Sequence, residues 1–105
     1  MGMLDNIKEA MKMRSEAKRM QSEIAKIRVS HSNGGITATA TGELSIESIT
    51  FEPGAYDEVK AGKPARFETM LLNVVNAALK KAREAAQREM QKLMTSGGAG
   101  GLFGR

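Results

Sequence analysis

The sequence predicts an α+β fold in the order α-β-β-β-α, with a small antiparallel three-stranded sheet flanked by two long helices. Three observations predict it. Leu4 to Ile27 is rich in helix formers and holds neither Gly nor Pro; Ile36 to Thr41 alternates strictly between apolar and polar residues; Ala65 to Met94 again carries apolar residues at helical spacing.

In the first helix, Met13, Ala17, Met20, Ile24 and Ile27 recur at spacings of four and three, an apolar stripe of the kind that faces a core. Leu4, Ile7 and Met11 form a second stripe, rotated well away from the first at 100° per residue. Arg28 to Ser32 reads as a short first strand. Asn33-Gly34-Gly35 then supplies the positive φ a tight turn needs. The next strand places Ile36, Ala38 and Ala40 on one side, with Thr37, Thr39 and Thr41 on the other. Gly42-Glu43 marks another turn, and Ser45 to Glu52 reads as a third strand with Ile49 and Phe51 inward. Pro53 to Pro64, with both prolines and two glycines, reads as a loop. The second helix puts Phe67, Leu71, Val74, Val75, Ala78, Ala82, Ala85, Ala86 and Leu93 on its apolar face. Residues 1–94 therefore read as one domain, and 95–105, TSGGAGGLFGR, as a flexible tail.

A chain of 105 residues without cysteine and with one histidine has no disulfides and no thiolate–histidine zinc site to stabilise it, which leaves oligomerisation. The helices, about 36 and 45 Å long at 1.5 Å per residue, exceed strands of about 20–27 Å. Their overhanging ends still carry apolar residues. Five of the eight methionines lie in Met1 to Met20, and such side chains suit adaptable contacts. A homodimer follows as the expectation, with Leu4, Ile7 and Met11 as interface residues. No leader segment and no membrane span is expected, because charges interrupt every apolar run. The expected location is cytoplasmic.

The net charge is +4, and its distribution says more. Residues 1–28 carry +3, residues 29–59 carry −5 with no Lys or Arg, and residues 60–105 carry +6. An acidic sheet thus stands between basic helices, which points to a polyanionic partner. Asp5–Lys8, Glu9–Lys12, Glu16–Arg19 and Glu23–Lys26 are spaced to pair along the first helix, as are Glu84–Arg88 and Glu89–Lys92 along the second. Arg14, Lys18 and Arg28, then Lys80, Lys81 and Arg83, are left over. Of these, Arg14, Lys18, Lys80, Lys81 and Arg83 are the candidate contacts to DNA phosphates.

Other chemistries find little support. The sole histidine, His31, adjoins a glycine turn and reads as a solvated polar residue rather than a catalytic base. Glu43, Glu47 and Glu52 fit a solvated strand face. The glycine run at 97–101 lacks the GK[ST] ending of a phosphate loop. Four aromatics make no stacking platform for single strands. The expectation is a non-enzyme without metal, cofactor or small-molecule substrate. It binds double-stranded DNA through the backbone with low sequence preference; the alternative is a protein–protein adaptor or chaperone-like dimer using its helical groove.

The order of these features resembles the YbaB/EbfC family of bacterial nucleoid-associated proteins over almost the whole chain. It runs from Leu4 through Met20-Gln21-Ser22-Glu23-Ile24 to Gly34-Gly35-Ile36, Gly42 and Ile49-Thr50-Phe51-Glu52-Pro53. Leu71-Leu72 and Val75-Asn76-Ala77-Ala78 follow, the latter similar to the family's Ala-x-Asn-x-Ala stretch, and Leu102-Phe103 closes a glycine-rich end. The linker from Gly54 to Ala65 departs from the family pattern. The resemblance implies a tweezer-like homodimer whose projecting helices bind DNA in the nucleoid.

Overall fold

A computed structural model describes residues 3–96 of the chain. Helix α1 (Met3–Ala25) leads into strands β1 (Arg28–Asn33), β2 (Ile36–Thr41) and β3 (Ile46–Phe51), which form one antiparallel sheet in sequence order. A 3₁₀ turn (Pro53–Tyr56) and the short helix α2 (Asp57–Lys60) precede the long helix α3 (Ala65–Ser96). The α+β architecture is as the sequence predicts.

The β1–β2 hairpin closes through Gly34 and Gly35, both at positive φ (60° and 81°), with Asn33 opposite Ile36. Two residues of left-handed backbone give the turn whose twist matches the flanking strands. The β2–β3 turn is held differently: the Thr41 hydroxyl hydrogen-bonds the Ser45 hydroxyl at 2.9 Å and accepts the Glu43 N–H at 3.2 Å. Gly42 is buried in this turn, where its N–H donates to the Ile27 carbonyl at 3.2 Å. A Cβ there would run into the Ile24 carbonyl oxygen and the end of α1. Gly42→Ala is therefore expected to destabilise the fold by roughly 1–3 kcal/mol, as overpacking does, with a lower thermal midpoint by circular dichroism. An unchanged midpoint would mean that α1 moves freely over the turn.

The core is small. Ile36, Ala38 and Ala40 of β2 are fully buried against Val74, Ala78 and Ala82 of α3. Strand alternation and helical spacing each select these residues, and the alanines let helix and sheet approach closely. Around them pack Val29, Ile46, Phe51, Phe67, Met70 and Leu71. Phe51, Tyr56 and Phe67 form a ring cluster with centroids 5.4–6.0 Å apart at the start of α3.

Several expectations are corrected. The β2–β3 register shifts between Thr39, opposite Ser48, and Ala40, opposite Ile46. Glu47 is thus an extra residue, and the bulge turns Ile46 to the core side, where simple alternation would have put it outside. Ile49 does lie opposite buried Ala38 yet stays 38% exposed, because α3 lies over β1 and β2 rather than β3. The segment from Pro53 to Pro64 is not plain loop but contains α2. His31 lies within β1, half-buried, with its Nδ1 buried and without a hydrogen-bond partner, because its strand position turns it to the α3 side. Thr95 and Ser96 continue α3; the remainder of the expected tail, 97–105, lies outside the described residues.

The helices outrun the sheet, as their lengths require. The molecule is 74 Å long, against strands of about 20 Å. α3 passes Gly34 at Met70 and Ser30 at Lys81, so its last turns overhang the end of the sheet where β1 begins. α1 enters from that end and touches α3, while residues 3–15 are all exposed. No described helix is long and apolar enough to cross a membrane.

Candidate nucleic-acid interface

Both projecting helices present cations to solvent. On α1, Arg14 and Lys18 are exposed and fall at positions four, seven, eleven, fourteen and eighteen with Leu4, Ile7 and Met11. Those spacings place all five on one helix face. The half-buried Met20, Glu23 and Ile24 lie on the opposite side, so this face points away from α3. Leu4, Ile7 and Met11 are 74, 50 and 65% exposed. One face therefore runs from apolar at the tip to cationic nearer the sheet.

On α3, Lys80 and Arg83 are exposed on the side opposite Val74, Ala78 and Ala82. Among the described residues, the side chains of Arg14, Lys18, Lys80 and Arg83 make no ion pair or hydrogen bond. Lys81 differs from them. It lies on the β1 flank of α3, and its ammonium donates to the Ser30 carbonyl at 3.5 Å.

Arg28, left over in the sequence, is bound: its Nε lies 2.6 Å from Glu47 Oε1, and Nη1 donates to the Ala25 and Ile27 carbonyls at 2.7 and 3.0 Å. It ties the end of α1 to the β3 bulge. Of the pairs expected along α1, Glu23–Lys26 closes, at 3.2 Å. Glu9–Lys12, Glu16–Arg19 and, on α3, Glu84–Arg88 do not. An exposed pair gains only a few tenths of a kcal/mol against the entropy of two long side chains, so spacing alone does not close it. Lys12, Arg19 and Arg88 thereby join the unpaired cations, a group that pair-counting in the sequence set aside.

Guanidinium and ammonium groups on long stems can meet phosphate oxygens at many positions along a backbone, with no need to match base edges.

The chain is similar to several curated proteins. A nucleoid-associated protein of Ruminiclostridium cellulolyticum is 36% identical over 98% of this chain and 88% of its own length. One of Acetivibrio thermocellus is 35% identical over 93% of this chain and 84% of its own. One of Caldanaerobacter subterraneus subsp. tengcongensis is 33% identical over 92% and 86%. With the family model for YbaB/EbfC DNA-binding proteins matching residues 1–98 as well, this chain belongs to the YbaB/EbfC DNA-binding family.

Proposed function

We propose that this protein is a nucleoid-associated, cytoplasmic homodimer that binds double-stranded DNA by its phosphate backbone, with low sequence preference. The observation that carries this reading is the set of exposed, unpaired cations on helices projecting beyond the sheet. Arg14, Lys18, Lys80, Lys81 and Arg83 are the contacts, and Leu4, Ile7 and Met11 give α1 an apolar tip for contact with the partner subunit. The names of the relatives support the same cellular setting.

Mobility shifts on unrelated duplexes at several salt concentrations test it. Each Ala variant at Arg14, Lys18, Lys80 or Arg83 is expected to weaken all duplexes by a similar factor. It should also flatten the plot of log affinity against log salt by about 0.9 per chain. Lys81→Ala should change less, because its ammonium already rests on a carbonyl. Salt-insensitive binding, or binding to one duplex alone, would sink the reading.

A further inference from the structure

α1 is held only through its C-terminal half. None of its residues is fully buried, and the half-buried ones all lie from Glu16 onward. The direction of the free half, Arg14 included, is therefore set by how the last turns are fixed. One fixing is Gly42, whose N–H donates to the Ile27 carbonyl at 3.2 Å and whose missing Cβ leaves room for the Ile24 carbonyl. The other is Arg28. A helix leaves its last carbonyls without partners and its C-terminal end partly negative. The last turn of α1 holds no basic residue, and Arg28 reaches back from β1 to supply one. Its Nη1 donates to the Ala25 and Ile27 carbonyls at 2.7 and 3.0 Å, while its Nε lies 2.6 Å from Glu47 Oε1. One planar guanidinium thus joins α1 to β3, across the intervening β2. Glu47 is the extra residue of the β3 bulge. By the plain alternation of Ile49 and Phe51 it would face inward, whereas Arg28 has the parity of Ser30 and Ser32, whose hydroxyls meet Thr39 and Thr37 on the outer face. Bulges re-aim side chains, and this one brings a carboxylate to Arg28.

We infer that Arg28 and Glu47 are positioning residues for DNA binding: together they clamp the angle at which α1 leaves the sheet, and so decide where its cations stand. The inference rests on the DNA reading above. Small angles matter here because α1 is long. Arg14 lies about 16 Å along the helix from Ala25 at 1.5 Å per residue, so a tilt of about 10° moves it by about 3 Å. That is about the length of a charge-assisted hydrogen bond to a phosphate. The two side chains are 46 and 45% exposed, and an ion pair so exposed adds little to stability. Its loss is therefore expected in the aim of α1 rather than in folding.

Charge and positioning predict opposite signs for Glu47→Ala in the full chain. Removing an acid and freeing the Arg28 charge would, by charge alone, tighten binding to duplex DNA. The clamp predicts weaker binding, by at least about tenfold, as the cations of α1 lose their phosphates. Glu47→Gln removes the same charge but still accepts from Nε, and should bind as the wild type does. Arg28→Lys keeps the charge without the planar fork and should bind weakly, like Glu47→Ala. Glu43→Ala, which removes an exposed acid outside the clamp, should leave binding unchanged. Far-UV circular dichroism should stay normal throughout. The angle itself can be read because the chain has no cysteine. Spin labels on Lys8→Cys and Thr50→Cys give the distance from α1 to the sheet by pulsed electron resonance, with the labelled chain diluted in unlabelled chain. That distribution should broaden in Glu47→Ala and Arg28→Lys and stay narrow in Glu47→Gln. Equal or tighter binding by Glu47→Ala, or distances unchanged by it, would overturn the clamp alone. A wild-type chain without salt-dependent duplex binding would overturn the DNA reading, and with it the role given to the clamp.

Discussion

Replacing Arg14, Lys18, Lys80 and Arg83 together by Ala is expected to lower duplex affinity by at least about a thousandfold at 0.1 M salt. The reason is counterion release. Each cation that meets a phosphate frees condensed ions, which contributes about 0.9 to the slope of log affinity against log salt. In the proposed homodimer every position occurs twice, so the quadruple variant should flatten the slope by up to about 7. Stability should hardly move, because these four side chains are exposed and unpaired among the described residues. Glu43→Gln provides the opposite control. It removes an acid from an exposed turn of the sheet and should leave binding unchanged or slightly stronger, since repulsion acts over about a Debye length, ~10 Å at 0.1 M. If the quadruple variant binds normally and strand substitutions abolish binding, the helices are not the interface, and the adaptor reading of the helical groove gains.

The sequence made the local elements legible because each rests on short-range chemistry. Ile36, Ala38 and Ala40 alternate with threonines, and the strand buries those three. The Asn33-Gly34-Gly35 turn needs positive φ, and Gly34 and Gly35 adopt it. Val74, Ala78 and Ala82 repeat every four residues and become the buried stripe of α3. What alternation could not show was how many strands one helix covers. Ile49 has the inward parity of a core residue, but α3 spans only two strands, so it remains exposed. A single extra residue, Glu47, reversed the parity of Ile46 without any composition signal.

The candidate site was legible to the extent that charge lies on periodic helices. Arg14 and Lys18 emerged exposed and unpaired, as did Lys80 and Arg83. Arg28 and Lys81 could not be sorted this way. Their partners, Glu47 and the Ser30 carbonyl, lie in other elements, the second 51 residues away, and helical spacing says nothing about either. The expected pairs on α1 failed for the converse reason: spacing permits a pair, but in water the gain is too small to hold it.

Ala78→Asp is expected to unfold the protein, or to leave it with little more than isolated helix signal at 25 °C. Ala78 is fully buried between Val74 and Ala82 on α3, facing Ile36, Ala38 and Ala40. An aspartate there would either ionise in an apolar layer or stay neutral at a raised pKa, and both cost several kcal/mol. Extra side-chain volume adds overpacking of about 1–3 kcal/mol in a layer that Cβ atoms already fill. Against these stands a core with two large fully buried side chains, Ile36 and Val74, each contributing about 1.5–3 kcal/mol. Total stability in a domain of this size is commonly 5–15 kcal/mol, so one such substitution takes a large share. Ala78→Gly separates the causes. It adds neither volume nor charge and should cost about 2 kcal/mol, from helix propensity and the lost buried methyl, with a lowered but cooperative melt. A cooperative melt of Ala78→Asp near the wild-type midpoint would show that α3 does not seal the sheet at this position.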